Sequence, residues 1–591
     1  MLSFKRQQFL GFSSERLFKA SNDQLMVIVC LTIKQLKSVW NQGGERMKKF
    51  SVWMVVAGLL LSACSTGGQS GSDSSGETTE VKQEINVASG GELSTLDSAH
   101  YTDVYSSDMI GQVAEGLYRL NKDQDPELAM AAEEPTVSED GLVYTFKLRE
   151  AKWSNGDPVT ADDFVYAFKN VVDPAYGSSS SNQMDIFKNG RKIRDGELTL
   201  DDFGVKAIDD QTLELTLEYP APYLSQALVG TPFMPKNAAF AEEKGTDYGT
   251  STDNFVGNGP FLISGWDGTT ESWKLTKNPD YWDQKNVKLD TINVQVMKEI
   301  ATGTNLFDSG ELDYTVLADT YALQYKDSPQ AYFIPKAMVG YLSPNHKREV
   351  TGNVHARKAI LQAIDKEAFA TDILGDGSTA LNGFVPKDFA KDPDDGEDFR
   401  EENGDLLPYN LEAAKKEWEL AKQELGKDEI ELELMSADSA IAKKTIEFVQ
   451  GQLQENLSGL KIVLKSIPLQ NRLDLQTEGS FDLVFGTWTP DYADPINFLE
   501  FYDSKSGLNT AGYDNADYDK GLNDARITLA NEPEKRWEKL LSLEKILVQD
   551  DAAVLPLYQG AIGYLKADRL KDLQVFSFGR TVSYRTAYVE E

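Results

Sequence analysis

Histidine and cysteine are nearly missing from this chain, with three of one and two of the other in 591 residues. His100, His346 and His355 stand far apart and outside metal-ligand spacing, so they read as structural or surface side chains and no metal site is expected. With only Cys30 and Cys64, no disulfide framework is on offer. Basic charge is also short. Lys and Arg number 59 against 94 Asp and Glu, a net charge of −35, which argues against a nucleic-acid surface built on clustered cations. Neither a G-x-x-x-x-G-K-S/T phosphate loop nor a G-x-S-x-G nucleophile elbow is present, so no ATPase and no hydrolase of that type is indicated. Acidic residues are too many for any one carboxylate pair to single out glycosidic chemistry. The search for catalytic residues thus comes back mostly empty, and neither an enzyme nor a cofactor is expected.

What is present begins with a hydrophobic fraction of 41% and 10% aromatics, enough to bury substantial cores. Near the start, Met47-Lys48-Lys49 precedes an apolar run, Phe50 to Leu61. That run, about a dozen residues, falls short of the about 20 needed to span a bilayer and has the charge and length of a secretory signal. It ends Leu61-Ser62-Ala63-Cys64, which resembles the lipobox of bacterial lipoproteins. The resemblance implies a diacylglyceryl group on Cys64 and cleavage just before it, making 47–63 a lipoprotein signal peptide. Two acyl chains at about 0.8 kcal/mol per methylene give on the order of 20 kcal/mol of membrane affinity. Residues 64–82 then read as the lipidated cysteine and a Gly/Ser-rich tether with a span of roughly 20–25 Å. Residues 1–46 do not fit an exported chain. Gly43-Gly44-Glu45-Arg46 requires purine-rich codons just ahead of Met47, as a ribosome-binding site would, so Met47 is the expected start and 1–46 a read-through.

Beyond Val81 strand and helix signals mix. Leu142, Tyr144, Phe146 and Leu148 alternate as in a half-buried strand, and Leu213, Leu215, Leu217 and Tyr219 do the same. Thr160 with Asp163 predicts a helix N-cap. Residues 429–435, a helix marked by Ile446, Val449, Leu453 and Leu457, and strands at 460–467 and 481–488 predict a βαβ unit with parallel pairing. The class is α/β, or α+β in parts.

A series of short motifs carries the next step: LSTLDSA (93–99), EGLYRLNKD (115–123), YTFKLREAKWSNGDPVTADDFVYAFK (144–169), VGNGPFLI (256–263), LTKNPDYW (275–282), ARKAILQAIDK (356–366), GTWTPDYADPINFL (486–499) and VLPLYQG (554–560). In kind and order they resemble the extracytoplasmic solute-binding proteins of family 5, the peptide- and nickel-binding components of ABC importers, and among them the oligopeptide-binding lipoproteins. The resemblance runs from about residue 85 to the C-terminus. It implies a two-lobed periplasmic-binding-protein-like clamshell (type II, large) with an additional domain. Lobe I would comprise 83–107, 236–340 and 566–591, the additional domain 108–235, and lobe II 341–565. Most of the motifs read as scaffold: Trp153 and the Asn155-Gly156 turn at a corner, Arg357 and Asp365 in structural salt bridges.

The resemblance also implies a site. In the family's peptide binders the aspartate of an Asp-Tyr-x-x-Pro context holds the ligand's terminal amine, and here Asp491, Tyr492 and Pro495 match. The backbone of Gly486, Thr487 and Trp488 would line one side of the ligand and Ser94, Thr95 and Leu96 the other. Asp494 is expected as a cap. The implied role is a monomer, lipid-anchored on the extracytoplasmic face of the cell membrane, that captures oligopeptides and delivers them to ABC permease subunits driven by separate cytoplasmic ATPases. The alternative is the same transport role with a specific signalling peptide, nickel, haem or an oligosaccharide as ligand.

Overall fold

The computed structural model describes residues 81–591. The expected read-through 1–46, signal peptide 47–63 and Cys64 with its tether as far as Glu80 lie outside the described residues.

The first described strand is β1 (Glu84–Ser89), whose Ile85, Val87 and Ala88 are buried while Glu84, Asn86 and Ser89 are half-exposed. The helix Val104–Val113 follows, capped by Asp103, whose carboxylate accepts the Ser106 N–H. A hairpin of β2 (Tyr118–Leu120) and β3 (Pro126–Leu128) leads into an antiparallel sheet of β4 (Thr136–Val137), β5 (Val143–Lys147), β6 (Val205–Asp209) and β7 (Thr212–Thr216), ordered β4-β5-β7-β6. The helix Ala161–Val172 packs on it, starting with the expected capping box between Thr160 and Asp163. The same Asp163 carboxylate accepts the Trp153 indole N–H at 3.0 Å and the Ala238 N–H at 3.0 Å. One buried acid thus ties the Trp153 turn and the start of the helix Ala161–Val172 to the start of the helix Ala238–Lys244.

The chain returns through β8 (Phe261–Ser264), β9 (Ser272–Lys277), β10 (Thr291–Val296) and β11 (Tyr314–Leu317). It then crosses on β12 (Ala331–Pro344), adds β13 (Thr379–Ala380), β14 (Ile430–Ala437), β15 (Leu460–Ile467) and β16 (Leu483–Trp488), and crosses back on β17 (Leu555–Lys566). These strands form one sheet ordered β15-β14-β16-β12-β17-β11-β1-β10-β9-β8, with β13 on β17. The predicted βαβ unit is there: β14 lies parallel to β15 and to β16, joined by the helix Ala440–Asn456. Its alternation is the reason, since Ile430, Leu432 and Leu434 face the core while Glu431 is exposed.

Two cores flank the crossing. One gathers Val87, Trp273, Leu275, Ile292 and Val294 with the C-terminal Tyr584 and Val589. The other runs continuously from the additional domain into the β14–β16 half. The helix Val104–Val113 straddles the boundary expected at residue 108, because Met109, Ile110 and Val113 are buried in the first core beside β1. The crossing also comes earlier than residue 341. β12 pairs Ala331–Pro335 with Ala561–Leu565 and Val339–Leu342 with Leu555–Gln559, with its register broken between Pro335 and Val339.

Two scaffold expectations change. Arg357 makes no salt bridge among the described residues; its guanidinium donates to the carbonyls of Thr351, Gly352, Asp551 and Ala552, satisfying a buried loop. Asp365 accepts the Ala368 N–H at 3.0 Å as a helix cap. Among the described residues, no helix is long and apolar enough to cross a membrane.

Candidate ligand site

The site is built at the end of β16. Leu483, Val484 and Phe485 are buried, which fixes this strand in the middle of the sheet. On one side β12 pairs with it throughout, from Pro344 opposite Leu483 to Val339 opposite Trp488. On the other side β14 pairs only with Leu483 and Val484. From Phe485 to Trp488, therefore, one backbone edge has no strand beside it among the described residues. Gly486 keeps that edge low, since a Cβ there would stand 3.3 Å from the Arg472 Nη1.

The strand runs out through Thr489 and Pro490 into Asp491. The Asp491 N–H donates to the Asn497 Oδ1 at 3.3 Å, and its carboxylate accepts the Gln183 Nε2 at 3.2 Å from the additional domain. No cation pairs with it among the described residues. Its surface is open to a cavity of about 900 Å³, lined by Gln183, Tyr219, Tyr223, Trp488, Asp491 and Tyr492 among others, within the range usual for ligand pockets. The cavity walls surround the carboxyl closely enough that burial pushes its pKa above the usual carboxylate value. The carboxylate is exposed to the cavity and has the Gln183 amide, but no cation, as its side-chain partner among the described residues.

Tyr492 lies flat on Tyr223, ring centroids 4.4 Å apart and planes 3° from parallel, and its hydroxyl donates to Glu500 at 3.1 Å. Trp488 packs edge-on against Phe501 at 5.1 Å, and its indole N–H is buried with no acceptor among the described residues. Thr487 is exposed. Asp494 is buried and engaged within its own lobe, accepting two 2.8 Å bonds from Arg536 and one of 2.9 Å from the Ile496 N–H. No group of acids and histidines among the described residues can hold a metal ion.

Ser94, Thr95 and Leu96 do not line this cavity. The Ser94 hydroxyl donates to Asp103 at 2.7 Å and its N–H to the Ser106 Oγ at 3.1 Å. The Leu96 N–H goes to the Gly249 carbonyl at 2.8 Å, its side chain lies in the first core, and the Thr95 hydroxyl accepts the Asp97 N–H at 3.0 Å. These groups are consumed in holding their own loop. The wall facing Asp491 and Tyr492 comes instead from Gln183 and Tyr223. Nothing local in the sequence marks those two, since Gln183 meets Asp491 across 308 positions.

A family model described as "Bacterial extracellular solute-binding proteins, family 5 Middle" matches residues 125–510. The chain belongs to this family. Family 5 solute-binding proteins are binding proteins and not enzymes, and this one has their two-lobed α/β fold. It is 32% identical to the dipeptide-binding protein of Lactococcus lactis subsp. cremoris over 555 residues, covering 91% of this chain and 98% of that one. Among solved structures it is similar to Listeria monocytogenes OppA bound to peptide, with 40% identity and a TM-score of 0.70, covering 87% of this solute-binding protein and all of that chain. It is likewise similar to the substrate-binding domain of an oligopeptide ABC transporter from Bacillus anthracis, with 38% identity and a TM-score of 0.70 over 87% and 99% of the two chains.

Proposed function

We propose that this protein captures peptides with a free amino terminus between its lobes and hands them to an ABC-type importer, held at the membrane by a lipid on Cys64. The observation that carries the reading is the free backbone edge at Phe485–Trp488 leading to Asp491, whose carboxylate faces the cavity with no cation paired to it among the described residues. A peptide must have its N–H and C=O groups met, since each buried unpaired group costs about 1–3 kcal/mol. A strand edge meets them whatever the side chains are. A terminal ammonium then supplies the cation that Asp491 lacks, and the Trp488 N–H finds an acceptor in a ligand carbonyl. Because Asp491 and Tyr492 stand in one lobe while Gln183 and Tyr223 stand in the additional domain, a ligand here touches both sides and favours the closed form. The peptide-binding names of the relatives support the ligand class, and the lipobox resemblance supports the anchor.

Native mass spectrometry of the gently purified protein, followed by acid release and sequencing of what comes off, tests this. Peptides with free N-termini, weakened in Asp491→Ala, are expected. A sugar or a metal chelate instead of peptides would overturn the peptide reading. The anchor is tested separately, as Cys64→Ser should move the protein from the membrane fraction to the medium, and an unchanged membrane fraction would refute it.

A further inference from the structure

A second groove adjoins the Tyr223–Tyr492 stack. Those two rings line the ligand cavity, while their chain neighbours Pro222 and Ala493 line a separate cavity of about 360 Å³. One wall is the β2–β3 turn with Pro222 and Gln226, from the additional domain. The other is the loop at 388–393, from lobe II. The buried Phe389, Trp537 and Phe578 form the floor, with Phe389 edge-on to Phe578 at 6.0 Å. The rim is made of the exposed Pro222, Pro393 and Pro533. At less than half the volume of the ligand cavity, the groove suits a single long side chain.

Its two cations are already engaged. Arg536 is held by Asp494 in two 2.8 Å bonds, and Lys391 pairs with Asp125 at 3.4 Å, from one wall to the other. Asp123 and Asp388 are left over, one on each wall, both exposed and neither in an ion pair among the described residues. Both stand on turns held by hydrogen bonds. The Asn121 Oδ1 accepts the N–H groups of Asp123 and Asp125 at 2.8 and 3.0 Å. The Gln124 Oε1 accepts the Ser577 N–H at 2.6 Å, and the Asp388 N–H donates to Asp398 at 2.8 Å. In the same lining the Gln226 Oε1 is buried and receives no hydrogen bond among the described residues. An aromatic floor, free carboxylates on two sides and an unmet carbonyl oxygen suit a guanidinium or ammonium on an apolar stem.

We infer that this groove is a docking point for the importer's membrane subunit, receiving one arginine or lysine side chain from it. The inference rests on the transport reading above and adds to it a contact through which the importer tells a loaded molecule from an empty one. The two walls belong to lobe II and to the additional domain, so opening the cleft divides the groove. An occupant that bridges Asp123 and Asp388 therefore binds the closed form more tightly, and by linkage binds the cargo-loaded protein more tightly than the empty one. The charge is complementary, since acids outnumber bases 94 to 59 in this chain and the groove's two free charges are both negative. The cargo itself occupies the other side of the Tyr223–Tyr492 stack, which leaves this side open to a partner.

The test is uptake of a radiolabelled free-amine peptide by intact cells, beside calorimetry of the same peptide with the purified full chain. The double variant Asp123→Asn, Asp388→Asn removes both free charges and leaves the Asp125–Lys391 pair, the tyrosine stack and Asp491 in place. Its peptide Kd should match wild type while uptake falls about tenfold or more. The described residues hold no cysteine, so Pro393→Cys carries a photo-crosslinker at the rim of an otherwise wild-type groove. In cells it should attach to the importer's membrane subunit when peptide is supplied and not when it is withheld. Wild-type uptake by the double variant overturns the inference. A weaker peptide Kd in the folded double variant also overturns it, by making the groove part of the cargo site. A crosslink to a second copy of this chain, or none to the membrane subunit with peptide present, does the same and decides even if the double variant fails to fold. In each of those cases peptide capture stands, whereas failure of every peptide to bind wild type overturns the transport reading and this inference together.

Discussion

Replacing Asp491 with asparagine keeps the shape of the side chain and removes its charge, and its effects on binding and on stability should run in opposite directions. In the empty protein the carboxylate has one side-chain partner, the Gln183 amide at 3.2 Å, and burial raises its pKa. A raised carboxylate pKa means that the ionised group costs folding stability at neutral pH, a cost that vanishes once pH falls below the unfolded value. Asp491→Asn lifts that cost, so the empty variant should melt at the same temperature as wild type or higher. Binding should suffer instead. A charge-assisted hydrogen bond to the ligand amine contributes about 1.5–3 kcal/mol, so Kd should rise by about 10- to 150-fold. Calorimetric titration with one free-amine peptide and its N-acetylated twin gives the assay, with scanning calorimetry of the empty proteins alongside. The acetylated peptide should bind wild type and variant alike. A variant that melts well below wild type while keeping its peptide affinity would show Asp491 to be a structural cap and refute the reasoning.

The same raised pKa sets a pH profile: wild-type affinity should fall on acidification from a pH above the ordinary aspartate value, and fall again above about 8 as the ligand amine loses its proton. The acid limb should be absent in Asp491→Asn. Tyr223→Leu removes the stack on Tyr492 that joins the additional domain to lobe II; at about 0.5–1.5 kcal/mol, affinity should weaken roughly 2- to 10-fold, with a larger radius in solution scattering of the loaded protein. Asp494→Ala strands the buried Arg536 and should cost about 3–5 kcal/mol in urea unfolding, with peptide affinity of the folded fraction unchanged. Lys366, fully enclosed and donating to the Leu381 carbonyl at 3.1 Å, has its pKa lowered by burial to about 7. Its charge therefore burdens the folded state most below pH 7, and stability should rise as pH climbs from there toward about 10. Lys366→Met should flatten that slope in pH-dependent unfolding.

Much of this architecture could be read from the chain because its signals are local. The β14–helix–β15 unit shows in two-residue and then three-to-four-residue spacing of apolar side chains, and the Thr160–Asp163 cap lies within one turn. Asp491, Tyr492 and Trp488 carry their motif with them and do sit together in the cavity. What escaped the sequence depends on contacts across long separations. Gln183 and Tyr223 complete the site from another domain, and no pattern near residue 183 or 223 announces it. Ser94 and Leu96 looked free only because Ser106, Asp103 and Gly249, which occupy them, are brought there by the fold. Arg357, next to so many acids in composition, finds four carbonyls instead, since the loop it fills is short of donors.

The four-residue edge at Phe485–Trp488 has a bearing on how the empty molecule behaves toward its neighbours. A strand with unused N–H and C=O groups accepts any extended backbone, including that of another protein molecule, and this is how native sheets begin to aggregate. Here the exposed length is short, and Arg472 already covers the first carbonyl. The remainder is closed only by what the protein carries. Cargo thus serves as a stopper as well as a substrate for transport: starved of it, a concentrated preparation should self-associate, and adding peptide should return it to single molecules.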